Sequence, residues 1–456
     1  MTMRRFDTRR QSLDEIRAAL RRPLLWDVPG TGRARATLDR LFGPGTTPLE
    51  AVRRILDSVR REGDAALVRW TRELDRVEVP PGELWVGAER LQAAASDPSL
   101  ASLVPPLRAA AAAIERFHRR QAPAPVFEES APGILVGWWP RPVRRAAVYV
   151  PGGLAPLLST VLMGVIPARI AGVEEIVVAT PPPVHPGILL AARLAGADRV
   201  LQVGGAQAVA ALAYGTESVP PVDVIVGPGN LFVQLAKREV VGIVGIDARA
   251  GPSEVVVMAD GEAPSGWIAA DLVAQAEHAP DAAAILVSDS EPLVEAVLAA
   301  IERELSTLAR GDLARSALEA WGAAIVCRSL DLEGVELVST IAPEHLEIVA
   351  QDATALAGRV RSAGAIFIGP HSPVALGDYA AGSNHILPTN GTARFASGLG
   401  VHTFVRASAM VHASPRGLAG MAGTVQALAS AEGLEAHARS IAVRLEADDR
   451  RGGERR

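Results

Sequence analysis

The chain has 456 residues, too many for one hydrophobic core of ordinary size, so two core-bearing domains with smaller appendages are expected. Hydrophobic residues make up 49% and charged residues 21%, with a formal net charge of −5, which argues against a clustered basic surface and against nucleic acid as a partner. Aromatics reach only 4%, so Ala, Val, Leu and Gly must fill the interior, a diet suited to parallel sheets covered by helices.

In chain order, the opening Met1–Asp7 is charged and no apolar segment follows it, so no secretory signal is expected. The chain reads as helical to about Pro142, with Leu49, Val52, Ile55, Leu56 and Val59 at the spacing of one buried helix face. From Ala146 the text changes to short β-branched runs ending at Val150, Ala179, Val203 and Val226, separated by helical stretches, as a parallel α/β sheet requires. The longest uncharged run, Ala146 to Ala168, contains Pro151, Gly152, Gly153, Pro156 and Pro167, and reads as strand, loop and helix with no membrane span. A second series follows at 254–258, 284–287, 323–327 and 365–368.

The sheet-forming text therefore comes twice, and the fold class is α/β: two similar Rossmann-like parallel-sheet domains with small helical extensions at both ends. The expected division is 1–43 as an N-terminal helical extension, 44–148 with 254–399 as a first, discontinuous α/β domain, 149–253 as a second, and 400–456 as a helical tail. A ligand cleft is expected at the carboxyl ends of the strands. In the tail, Leu418, Met421, Val425, Leu428, Leu434, Ile441 and Leu445 form an apolar stripe that needs a surface, and 448–456 reads as a frayed polar end.

Chemistry-bearing residues are few. The single cysteine, Cys327, excludes an intrachain disulfide, fits the cytoplasm, and lies in a strand-like run where a thiol behaves as a small hydrophobe. Lys237 is the only lysine, reads as solvated or ion-paired, and removes most room for a Schiff-base mechanism. Gln275 and His278, at i and i+3 on a helix predicted from about Ser265, could share one metal ion; a capping or solvated histidine ahead of Pro280 is the plainer alternative. Asp378 and His385 lie in a Gly-flanked polar loop, and His437, five residues after Glu432, reads alone as a surface residue. Glu344 and His345 place two proton-transfer groups side by side before a predicted strand, although a solvated turn fits as well. Three glycine-rich stretches, from Pro151, Val203 and Gly227, each follow a strand and precede a helix, a context for phosphate at backbone amides, and none is G-x-G-x-x-G.

Taken together, the segments Val-Tyr-Val-Pro-Gly-Gly from Val148, Val-Gly-Gly-Ala-Gln from Val203, Gly-Pro-Gly-Asn from Gly227, Ala-Gly-Pro-Ser-Glu from Ala250, Gln-Ala-Glu-His from Gln275, Pro-Glu-His-Leu from Pro343 and Gly-Asp-Tyr-Ala from Gly377 resemble the histidinol dehydrogenase family, from about Val148 to His437. The resemblance implies an NAD-dependent four-electron oxidation of L-histidinol to L-histidine through L-histidinal. It implies one zinc per subunit on Gln275, His278, Asp378 and His437, in a site whose N/O ligands would also suit manganese or cobalt. Glu344 and His345 match the catalytic pair, Tyr149, Gln207 and Asn230 the NAD contacts, and Ser253, Gln275, His278, Glu344, Asp378, Glu432 and His437 the substrate contacts. It also implies a homodimer whose tail reaches the partner's site. Two other classes stay open: a zinc hydrolase with Glu344 activating water, and a cofactor-binding regulatory protein without catalysis.

Overall fold

The computed structural model describes residues 3–23, 32–152, 156–248 and 251–453. Gly153 of the first glycine motif, Ala250 of the Ala-Gly-Pro-Ser-Glu motif, 24–31 of the N-terminal extension and 454–456 of the polar end lie outside them. The chain divides into two compact units, 1–121 with 143–404, and 122–142 with 405–456.

The first unit opens with β1 (Arg4–Asp7) and the helices α1 (Leu13–Leu20), α2 (Gly32–Phe42), α3 (Pro48–Glu62), α4 (Asp64–Asp75), α5 (Ala88–Ala93) and α6 (Val104–His118). The second unit takes β2 (Val126–Ala131) and β3 (Ile134–Pro142). Back in the first unit come β4 (Arg145–Tyr149), α7 (Leu158–Ala171), β5 (Glu175–Ala179), α8 (Pro186–Ala195), β6 (Arg199–Leu201), α9 (Gly205–Tyr214), β7 (Val224–Val226), α10 (Leu231–Glu239) and β8 (Gly245–Ile246). The next series is β9 (Glu254–Ala259), α11 (Ser265–Ala276), β10 (Ala283–Ser288), α12 (Glu291–Leu305), α13 (Gly311–Trp321), β11 (Ala323–Val326), α14 (Val335–Ile341), β12 (His345–Val349), α15 (Ala353–Arg359), β13 (Ala365–Ile368) and α16 (Val374–Tyr379). The second unit ends the chain with β14 (Val405–Ala413), α17 (Pro415–Ala431) and α18 (Glu435–Gly453).

Both sheets of the first unit are parallel and repeat one topology. The five-stranded sheet runs β6-β5-β4-β7-β8, and five strands of the six-stranded sheet run β11-β10-β9-β12-β13, in each case third, second, first, fourth, fifth by order of appearance. This is the doubly wound, Rossmann-like order. The sixth strand, β1, pairs parallel with β11, Arg4 opposite Ala323, so the N-terminal extension expected to be helical supplies an edge strand.

Local chemistry explains the helices that cover the five-stranded sheet. Thr47 and Glu50 close a capping box and Pro48 occupies the first turn, which starts α3 and leaves its Val52, Ile55, Leu56 and Val59 face to be buried. Each of these side chains contributes about 1.5–3 kcal/mol by leaving water. They pack on Ala147, Val177 and Ile225 of the sheet, while Leu107 and Ile114 of α6 join Val148 and Val178 on the opposite face. The helices between 48 and 118 thus belong with the five-stranded sheet, a correction to the expected grouping of 44–148 with 254–399. The expected boundary at 149 also falls at the last residue of β4.

The second unit is an antiparallel sheet, β14-β3-β2, with α17 and α18. β14 runs along β3 from Val405 opposite Pro142 to Ala413 opposite Ile134. The tail read as wholly helical therefore begins with a strand, and the region read as helical to Pro142 contains a hairpin. α18 remains helical to Gly453 where fraying was expected from 448. Among the described residues no helix is long and apolar enough to cross a membrane.

Candidate active site

A cavity of about 610 Å³ opens at the carboxyl ends of the five-stranded sheet, lined among others by Asp75, Tyr149, Pro151, Gly205, Gln207 and Asn230. All three sequence-derived cofactor residues are in it. The Tyr149 hydroxyl accepts the Gly205 N–H at 3.0 Å, and burial pushes its pKa up to about 12, so it stays a neutral phenol. Gly205 has φ +65 and opens α9, whose preceding Gly204 offers no side-chain cap, leaving first-turn amides for an anionic ligand. Gln207 is fully buried; its Nε2 donates to Asp75 Oδ2 at 3.1 Å and its Oε1 has no partner. Asn230 caps α10, accepting from the amides of Phe232 and Val233 at 3.1 and 3.2 Å.

The loop 227–230 is held from below. Gly227 has φ +111, and a Cβ there would overlap the Tyr149 carbonyl, so glycine is required. Its N–H donates to Asp247 Oδ2 at 2.7 Å, its carbonyl accepts from Lys237 Nζ at 2.8 Å, and Lys237 and Asp247 form an ion pair. Lys237 is 1% exposed. Of the two alternatives read from sequence, ion pairing is the one observed, in the core and not in solvent. Asp75 and Asp247 were not singled out from the sequence, because the partner of Asp75 lies 132 residues away and those of Asp247 lie 10 and 20 residues away.

A second cavity of about 450 Å³ shares Pro151 and Asn230 with the first and is lined by Ser253, His278, Glu344 and His385. Here the six-stranded sheet presents the amino ends of its strands: Ser253 and Glu344 immediately precede β9 and β12, and His345 is the first residue of β12. The expected location at carboxyl ends therefore holds for the five-stranded sheet and is reversed for the other. At a strand start the free main-chain amide can serve a side chain, and the Glu254 N–H donates to Glu344 Oε2 at 2.9 Å. The Glu254 carbonyl lies 3.2 Å from His345 Nδ1. A carbonyl only accepts, so Nδ1 carries the proton and Nε2 holds the lone pair. That Nε2 is buried without a hydrogen-bond partner and lies 3.7 Å from Asp378 Oδ1.

The two groups of the pair stand 3.6 Å apart, Glu344 Oε2 to His345 Nδ1. Burial, then the negative charge of Asp378, pushes the Glu344 carboxyl up to about 8 against the lowering effect of the Glu254 amide. Burial also lowers the His345 imidazole, favouring its neutral form.

Three of the residues expected to bind a metal lie at the end of α11 and on α16. α11 ends at Ala276, so His278 lies in the turn beyond it and not on the helix, a correction to the i, i+3 reading. Its Nδ1 bonds the Ala274 carbonyl at 3.0 Å, which leaves Nε2 free. Gln275 is buried and its Nε2 lacks a partner. Asp378 sits on the short helix α16 and not in a loop; burial raises its pKa, while His345 and His278 pull it down. His385 is structural: Nδ1 donates to the Asp378 carbonyl at 3.0 Å, Nε2 pairs with the Thr160 hydroxyl at 3.0 Å, and burial lowers its pKa to about 4. Gln275 and His278 at the negative end of α11 and Asp378 on α16 are an amide, an imidazole and a carboxylate, donor types that suit a divalent cation. Among the described residues no group of three or more His, Cys, Asp or Glu side chains is placed to hold a metal ion.

His437 and Glu432 belong to the second unit. Glu432 caps the end of α17, His437 lies in the first turn of α18, and both are exposed there. Cys327 is buried and its thiol is pushed up to about 12, matching the inert reading.

The sequence pattern of the family described as "Histidinol dehydrogenase" matches residues 45–445. A protein of that name from Syntrophotalea carbinolica is 46% identical over 417 residues, 90% of this chain and 96% of that protein. Another from Caulobacter vibrioides is 45% identical over 431 residues, 94% of this chain and 100% of that protein. The crystal structure of histidinol dehydrogenase from Elizabethkingia anophelis superposes with a TM-score of 0.87 at 32% identity, covering 98% of this chain and 99% of that one.

Proposed function

The chain belongs to the histidinol dehydrogenase family, NAD-dependent oxidoreductases of histidine biosynthesis, and on that premise we propose that Glu344 and His345 divide the proton transfers of L-histidinol oxidation between them. The observation that carries this is the His345 tautomer: with Nδ1–H on the Glu254 carbonyl, the unpartnered Nε2 keeps its lone pair as a base, beside the Glu344 that lines the cavity.

In the first oxidation His345 Nε2 takes the hydroxyl proton of the alcohol. In the second, Glu344 takes a proton from the water that adds to the aldehyde. Burial raises the basicity of its carboxylate toward the working pH, where a general base is most effective. Tyr149, Gln207 and Asn230 line the cavity that suits NAD, which when bound accepts hydride in each oxidation. Gln275, His278 and Asp378, joined by His437, would hold a zinc ion, whose chemistry is to orient the imidazole and amino nitrogens of the substrate. Ser253 and Glu432 complete the substrate contacts.

In the second unit Phe127, Trp138, Val411 and Leu428 are exposed, a surface rich enough in apolar area to favour a homodimer in which one tail serves the other subunit. His345→Asn is expected to cut histidinol oxidation by roughly 10²–10⁴-fold while sparing added histidinal, and Glu344→Gln to show the opposite bias. Steady-state assays of reduced nicotinamide formation with each substrate decide this, and equal losses on both would refute the division. Turnover of neither substrate by the zinc-loaded parent protein would favour a hydrolase.

A further inference from the structure

Arg22 and Pro23, which follow α1 in the N-terminal extension, line the smaller cavity. The Arg22 side chain is 8% exposed; its Nη1 donates to the Pro252 carbonyl at 3.3 Å, its Nη2 to the Asp281 carbonyl, and the guanidinium lies 3.9 Å from the Glu254 carboxylate, itself 8% exposed. The same guanidinium lies over the Trp321 ring at 4.9 Å. Arg22, Trp321 and Asn390 line both the smaller cavity and a further one of about 480 Å³ beneath it, so they form the wall between the two.

From these contacts we infer that Arg22 is a positioning residue that ties the N-terminal extension into catalysis by holding 252–254, the segment whose main chain sets Glu344 and His345. Glu254 is the hub. Its N–H binds the Glu344 carboxylate, its carbonyl fixes the His345 tautomer, and its side chain is anchored by Arg22 and by the Asn390 N–H at 2.8 Å. A carboxylate this deeply buried, with Glu344 as a like-charged neighbour, needs a fixed counter-charge, and the rigid guanidinium supplies that while also clamping the Pro252 carbonyl two residues earlier. Ser253 lies between the two anchored residues, so the clamp also sets the position of a proposed substrate contact. This inference rests on the assignment of Glu344 and His345 given above.

The test uses the full-length, metal-loaded protein carrying Arg22→Met, Arg22→Lys, Glu254→Gln or Arg22→Met with Glu254→Gln. Arg22→Met is expected to lower kcat by about ten- to a hundredfold on histidinol and histidinal alike, with KM for NAD unchanged, because ångström-scale misplacement of a base costs rate and not cofactor affinity. Arg22→Lys should recover part of the loss, and the double variant should be no slower than Arg22→Met, since both changes break one contact. If Arg22→Met does not fold, Glu254→Gln carries the test with the same kcat loss and unchanged KM for NAD. A kcat within twofold of the parent in folded Arg22→Met and Glu254→Gln, with His345→Asn inactive on the alcohol in parallel, overturns the inference alone. An active His345→Asn overturns the site assignment instead, and the inference with it.

Discussion

At Asp75 a carboxyl group closes α4, where the helix end already disfavours negative charge, and faces the larger cavity with the Gln207 amide as its side-chain partner. Burial pushes its pKa up from 3.8 to about 6. The folded chain therefore binds this proton more tightly than the unfolded chain. The associated stability is fully present below about pH 4 and is lost as pH rises through about 6. Asp75→Asn removes that loss, so its melting temperature relative to the parent should climb between these pH values and then level off. The plateau corresponds to about 1–3 kcal/mol. Thermal melts of both proteins across that range check it, and a pH-independent difference would contradict the burial account.

Among elements, the turn between β7 and α10 depends on a charge pair that faces no solvent. Lys237→Met leaves Asp247 buried without its cation and the Gly227 carbonyl without a donor, and is expected to destabilise the protein by about 3–5 kcal/mol. Adding Asp247→Leu should recover much of the loss, a contrast that denaturant midpoints measure; additive losses would show that the pair does not act as a unit. The element scale also shows what the sequence makes legible. Strands β4, β5, β9 and β10 are apolar runs buried on both faces or nearly so, and they declare themselves. β1 reads Arg-Arg-Phe-Asp, and β3 contains Gly137, Pro140 and Pro142, so neither has the alternation or apolar run that marks a strand. His278 and Asp378 were identifiable as donors by type, but the end of α11 at Ala276 and the short α16 were not, because no glycine or cap marks them. Arg22, Asp75 and Asp247 carry no local signal, and Glu254, although it ends the Ala-Gly-Pro-Ser-Glu motif, is not marked there for its role, since these roles come from partners brought near only by the fold.

At the scale of the whole molecule, the repeated sheet order turns the two halves of the first unit to different uses, carboxyl ends for the larger cavity and amino ends for the smaller. The second unit carries the tail, whose Met421, Leu428 and Leu434 remain exposed within it. If tails are exchanged between subunits, mixing inactive His437→Ala with inactive His278→Ala should restore up to roughly a quarter of the parent activity, as statistical pairing places one intact site in half of the dimers. No recovery after confirmed subunit exchange would assign each tail to its own site.

The enclosure of Lys237 reaches beyond its own loop. With that ammonium paired in the interior, every other permanently cationic side chain of this protein is an arginine, which keeps its proton far into alkali. One lysine, three tyrosines and one buried thiol are the only side chains of a type that ionises in the alkaline range below arginine. Electrophoretic mobility and colloidal behaviour should consequently stay nearly constant through the mildly basic range where lysine-rich enzymes drift steadily more anionic.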